Sequence, residues 1–90
     1  GQDPETSYTA KLFGEGREKI ASKVMEEAAE TVEAALKETP ERLTSESADV
    51  LYHLLVLWAD VGIEPADVWV ELARRQGISG IEEKNSRPQS

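Results

Sequence analysis

Two short strings hold the residues best suited to chemistry in this chain: Glu26-Glu27-Ala28-Ala29-Glu30 and Glu46-Ser47-Ala48-Asp49. Each contains a carboxylate pair spaced i, i+3, Glu27/Glu30 and Glu46/Asp49, and Glu26 stands beside the first. Residues three apart share one face of a helix. Two such pairs on antiparallel helices therefore meet across a groove. Converging carboxylates repel one another and resist desolvation unless a cation neutralises them. All-oxygen donor sets suit hard divalent ions such as Mg2+ or Mn2+. A lone acidic pair reads as solvated helix surface. Two pairs at similar distances from a short turn, both at the margin of an apolar stripe, read instead as a candidate metal centre of Glu27, Glu30, Glu46 and Asp49.

Two neighbours share these faces. Lys23 lies one turn before Glu27, where it reads either as an i, i+4 salt bridge or as a phosphate contact beside a metal. His53 lies four residues after Asp49. It reads either as a hydrogen-bond partner of Asp49 or a backbone group, or as a contact to a ligand base or phosphate.

The elements that must position these residues are helical. Residues 1–6 are polar and read as an arm. Residues 7–13 form a short helical candidate stopped by Gly14 and Gly16, with Leu12 and Phe13 expected in the core. A long helix is expected from about 17 to about 38. Its apolar stripe is Ile20, Val24, Ala28, Thr31, Val32, Ala35 and Leu36, with Lys23, Glu27, Glu30 and Ala34 along one edge. This rotation turns Glu27 and Glu30 inward and Glu26 toward solvent. Thr39-Pro40-Glu41 is a helix start, with a capping hydroxyl, proline in the first turn and an acid near the N-terminus.

The second long helix runs to about 60 and is closed by Gly62. Its apolar set is Leu43, Val50, Leu51, Leu54, Leu55, Leu57, Trp58 and Val61, too wide for one partner helix to cover. Glu64-Pro65 opens a last helix with a buried face of Val68, Trp69, Leu72 and Ala73. Residues 78–90 read as an extension. With no strand-like alternation, the chain is expected to form one all-α helical bundle over residues 1–90, with the second long helix central in the bundle or at a subunit interface.

Composition removes several classes. There is no cysteine and one histidine, so disulfide frameworks, thiolate zinc sites and multi-histidine sites within one chain are excluded. No apolar run approaches the roughly 18 residues of a membrane span, and no secretory segment opens the chain. A cytoplasmic protein without membrane contact is expected. The net charge of −8 argues against nucleic-acid binding, which needs a basic surface. A small anionic ligand stays compatible, because a divalent ion and a few lysines reverse the local field. The chain begins with Gly1 rather than Met, as expected of a processed or trimmed chain.

Glu-Glu-x-x-Glu followed on the next helix by Glu-x-x-Asp resembles the all-α nucleoside triphosphate pyrophosphohydrolase superfamily, which includes MazG and dimeric dUTPases. Ser7-Tyr8-Thr9-Ala10-Lys11-Leu12 and the tail Gly77-Ile78-Ser79-Gly80-Ile81-Glu82-Glu83-Lys84 narrow the resemblance to the phosphoribosyl-ATP pyrophosphohydrolase family of histidine biosynthesis. It covers about residues 4–87. Members of that family carry more chain before the Ser-Tyr-Thr-Ala-Lys stretch than the six residues present here.

The resemblance implies hydrolysis of the bond between the α- and β-phosphates of phosphoribosyl-ATP, Mg2+ dependence with Mn2+ as a substitute, and a homodimer. It implies Glu27, Glu30, Glu46 and Asp49 as catalytic metal ligands, with Glu26 binding a second metal or assisting the attacking water. Lys11, Lys23, Lys84 and Arg87 are candidates for phosphate contact, and Tyr8 or His53 for the nucleotide. Two other readings compete. One is a MazG-like enzyme that hydrolyses non-standard nucleoside triphosphates at the same metal site. The other is a metal-free helical dimerisation module whose acids merely solvate it.

Overall fold

The computed structural model describes residues 4–77. Four helices follow one another: α1 Pro4–Glu15, α2 Arg17–Lys37, α3 Pro40–Val61 and α4 Pro65–Gln76. No strand occurs among the described residues, so the all-α expectation holds. The extension at 78–90, with Lys84 and Arg87, lies outside the described residues.

The longest boundaries follow local chemistry. Thr39 is extended, and its Oγ1 accepts the Arg42 N–H at 3.2 Å, with Pro40 in the first turn. Gly62 ends α3 in the left-handed conformation (φ 95°), its N–H donating to Trp58 O at 2.9 Å. Glu64 precedes Pro65 at the start of α4 and is supported by Asp67, whose Oδ2 accepts the Glu64 N–H at 3.0 Å.

The first helix differs from expectation. It begins at Pro4 rather than at 7, consistent with proline's fixed φ at a helix start, and it continues through Gly14 to Glu15. The break falls at Gly16 alone, whose φ of 97° and ψ of 168° form a conformation essentially reserved for glycine.

Helices α2 and α3 are antiparallel and form the main packing pair. Arg17 at the start of α2 reaches Asp60 at the end of α3, Nε to Oδ2 at 2.8 Å. Thr31 farther along α2 meets Glu46 farther back along α3. These equal steps fix the register. The facing seam repeats every seven residues: Ile20, Glu27 and Ala34 are the buried residues of α2, and Glu46 and His53 face them from α3. That is the period of two helices kept in contact along their length.

A small core of Leu12, Ile20 and Val56 sits where α1 crosses this pair, with Tyr52 and Leu57 packed against it. Leu12 is buried as expected. Phe13 is not: it is 41% exposed, because its neighbour Leu12 takes the inward position and adjacent helical residues diverge by about 100°.

The larger correction concerns which face of α2 points inward. The expected stripe holds in its first half, where Ile20 is buried and Val24, Ala28 and Thr31 are half-buried, but its second half is turned out, with Val32 57% and Leu36 76% exposed and Ala35 exposed too. The contact face combines Ile20 of that stripe with Glu27 and Ala34 of the strip read as its edge. On α3, Leu51 and Val61 are likewise exposed. Helix α4 buries no residue fully. Val68 is half-buried, while Trp69, Leu72 and Ala73 are exposed, and Trp69 meets Trp58 edge-on with ring centroids 5.9 Å apart. One α2–α3 pair cannot cover all of these faces.

Candidate active site

The seam that holds the fold together also carries the acids. Glu27 is 9% exposed and Glu46 5% exposed, on opposite helices. Thr31 stitches their two turns together: its Oγ1 lies 2.8 Å from Glu27 O and 3.1 Å from Glu46 O. The hydroxyl proton is thus shared between a carbonyl of its own helix and one of its neighbour.

Two carboxylate groups result, and Glu27 belongs to both. Glu27, Glu46 and Asp49 each present a ligand atom within 4.8 Å of the others, and so do Glu26, Glu27 and Glu30. Glu27 points inward as expected. Glu30 is exposed yet still reaches Glu27. Glu26 faces solvent, its side chain 55% exposed, but it remains within the second cluster. Asp49 lies at the open rim of the first.

The two most enclosed acids are short of partners. Glu27 Oε2 and Glu46 Oε2 are buried with no hydrogen-bond partner among the described residues. A buried carboxylate oxygen left this way is costly. Enclosed carboxylates of this kind, clustered with a third from Asp49, form a donor set that fits a hard divalent cation.

Burial pushes the Glu46 carboxyl above its ordinary value. The neighbouring Glu30 carboxyl adds to that push. Arg42 opposes it, and the negative charges of Glu30 and Asp49 reinforce it. Arg42 Nη2 donates to Glu46 Oε1 at 2.6 Å.

Lys23 brings a positive charge to the rim, its Nζ 3.4 Å from Glu26 Oε2 and 4.0 Å from Glu27 Oε1. Burial pulls its ammonium down, but the Glu26 hydrogen bond and the fields of Glu26, Tyr8 and Glu27 together hold it above its ordinary value. Lys23 therefore stays charged. Its expected salt bridge is present, closer to Glu26 than to Glu27.

His53 is 5% exposed, and the structure resolves one part of its reading. Its Nδ1 lies 2.8 Å from the Asp49 carbonyl. A carbonyl only accepts, so Nδ1 carries the proton and Nε2 is left to accept. The Tyr8 hydroxyl lies 3.2 Å from Nε2 and donates to it. Tyr8, Tyr52 and His53 form one ring cluster, with Tyr52 and His53 edge-on at 5.1 Å and Tyr8 and Tyr52 stacked at 6.2 Å. Thr9 hydrogen-bonds the Tyr52 hydroxyl. Helix α1 is thereby tied to the same turn of α3 that presents Asp49. Lys11 is exposed on α1.

Two contributors escaped the sequence reading. Thr31 was placed in the apolar stripe, and Arg42 was not singled out. Both carried a signal: each stands four residues from a key acid, Thr31 after Glu27 and Arg42 before Glu46, where helical side chains meet.

The chain resembles known proteins over nearly its whole length. A family model described as phosphoribosyl-ATP pyrophosphohydrolase matches residues 1–76. The chain belongs to the phosphoribosyl-ATP pyrophosphohydrolase family. That family lies within the MazG-like all-α superfamily. Curated relatives named phosphoribosyl-ATP pyrophosphatase agree. The protein of Paramagnetospirillum magneticum is 69% identical over 97% of this chain and 80% of its own length. That of Rhodospirillum rubrum is 67% identical over 97% of this chain and 74% of its own. That of Azospirillum brasilense is 64% identical over 97% and 78%.

Proposed function

We propose that this chain hydrolyses phosphoribosyl-ATP between its α- and β-phosphates, giving phosphoribosyl-AMP and pyrophosphate, the second step of histidine biosynthesis. The observation that carries this reading is the pair of buried, unpartnered carboxylate oxygens on Glu27 and Glu46, two residues whose carboxylates cluster with that of Asp49. The names of the relatives support the substrate.

Glu27, Glu46 and Asp49 would hold Mg2+, with Glu30 beside them and Glu26 serving a second ion or the attacking water. Bound there, Mg2+ supplies charge neutralisation for the polyphosphate and for its pyrophosphate leaving group. The chain's own residues do the positioning. Lys23, kept charged by its neighbours, offers a donor to a phosphate oxygen at the rim. The Tyr8–His53–Asp49 chain fixes the histidine ring and steadies the turn that presents Asp49. The enclosed Glu27–Glu46 seam limits water around the carboxylates, which strengthens every charge interaction there. Lys11 is an outer candidate for phosphate contact, and Tyr8 one for the nucleotide.

A homodimer is part of the same reading. Val32 and Leu36 on α2, Leu51 on α3 and Val70 on α4 are exposed apolar side chains, and a second copy covers them at lower cost than water does. No helix among the described residues is long and apolar enough to cross a membrane, which suits a cytoplasmic enzyme. The acidic chain favours a small nucleotide held through a cation over a polynucleotide.

The test is a substrate panel with Mg2+. Pyrophosphate release should be fastest from phosphoribosyl-ATP. Equal or faster release from plain or non-standard nucleoside triphosphates would contradict the assignment.

A further inference from the structure

Arg42 lies outside both acidic strings, yet it reaches into the site. Its Nη2 donates to Glu46 Oε1 at 2.6 Å, and its Nε reaches Glu38 Oε1 at 3.3 Å. The two ends of the Arg42–Glu46 pair sit in different surroundings. The Glu46 side chain is 7% exposed and that of Arg42 is 56% exposed. The carboxylate is thus fixed in the seam, while the guanidinium lies over it from the solvent side on a long, flexible stem. Glu38, also at the surface, offers that guanidinium a second partner on release.

The remaining oxygen, Glu46 Oε2, is buried, and Glu46 shares a ligand cluster with Glu27 and Asp49. A divalent ion seated among those three carboxylates stands close to the guanidinium. Two cations beside one carboxylate repel each other, so the tighter one weakens the other's hold.

We propose that Arg42 is a placeholder counter-ion, which occupies Glu46 in the metal-free protein and yields it when a divalent cation binds, thereby setting the site's metal affinity. The inference rests on the reading of Glu27, Glu46 and Asp49 as cation ligands. An alternative role for Arg42, as a buttress that orients Glu46 for the ion, predicts an effect of opposite sign. The Arg42 backbone N–H, which takes the Thr39 cap, is untouched by a side-chain change, so α3 keeps its start in the variants.

The experiment is calorimetric titration of the full chain with Mn2+ alone, for wild type, Arg42→Gln, Arg42→Lys and Glu27→Gln. Arg42→Gln is expected to bind Mn2+ roughly two- to fivefold more tightly, the range set by a half-exposed ion pair, while Arg42→Lys stays near wild type. An independent readout is the NMR signal of the Arg42 Nε–H, which should move on saturation with Mg2+. Binding by Arg42→Gln that is equal to or weaker than wild type would overturn the proposal while leaving the metal site intact. Wild-type binding no tighter than that of Glu27→Gln would overturn the metal site itself, and this inference with it.

Discussion

Glu46 is pulled in two directions, and its protonation is measurable. Burial holds its carboxyl above the ordinary 4.5, with Glu30 and Asp49 adding to the effect and Arg42 opposing it. An acid whose folded pKa is raised stabilises the fold fully below its unfolded value. That contribution is lost as pH rises through the higher folded value. In the absence of metal, wild type should therefore lose melting temperature relative to Glu46→Gln as pH climbs from 4.5 toward neutrality. Thermal melts in EDTA across that range check it, and parallel curves would contradict it. At neutral pH, added Mg2+ should raise the wild-type melting temperature, since a ligand bound only to the folded state stabilises it. Glu46→Gln should respond far less. At this scale, much of the candidate site was legible. The i, i+3 spacing singled out both pairs, because helical geometry alone puts such residues on one face. It did not separate buried Glu27 from exposed Glu30, since depth is set by how closely the partner helix approaches. Nor did it bring forward Thr31, whose importance appears only once α3 supplies the Glu46 carbonyl.

The helices were readable where single residues dictate backbone geometry. Thr39-Pro40 and Gly62 mark the ends of α3 as expected, and Glu64-Pro65 opens α4. Thr39→Ala removes the oxygen that satisfies the Arg42 N–H and should cost about 1 kcal/mol of stability. Gly16→Ala should cost about 1–3 kcal/mol. A Cβ there meets nothing within 4 Å, so the penalty is purely conformational. Chemical denaturation measures both, and an unchanged midpoint for Gly16→Ala would show that the α1–α2 joint relaxes freely. In α4, Arg74 and then Arg75 hold the Glu71 carboxyl down to about 2. Its contribution has the opposite sign to that of Glu46: present above 4.5 and lost as pH falls toward 2. The inward face of α2 was read correctly around Ile20 and missed toward Val32 and Leu36, for a physical reason. Hydrophobicity predicts which face avoids water, but it does not say whether a neighbouring helix or another chain covers that face.

The whole molecule follows from that ambiguity. Its intrachain core is small, the seam is partly acidic, and apolar side chains such as Val32 and Leu36 on α2 and Leu51 and Val61 on α3 remain exposed. The width of the α3 stripe was legible in the sequence, as was its mismatch to a single partner helix. Which surfaces stay open was not, because the α2–α3 register alone decides it. If a second copy covers the Leu36 face, Leu36→Glu should convert a dimer to a monomer by light scattering, because a buried unpaired charge is strongly unfavourable. A wild-type monomer at micromolar concentration would contradict the dimer.

If the Glu27–Glu46 seam is a cation-dependent pyrophosphohydrolase site, it must show itself in pyrophosphate release from phosphoribosyl-ATP. Wild type should release pyrophosphate in Mg2+, lose that release in EDTA and regain it when Mg2+ is added back, and Glu27→Gln should drop it by at least about a hundredfold. Release that persists in EDTA, or that survives Glu27→Gln in a folded protein, would contradict it.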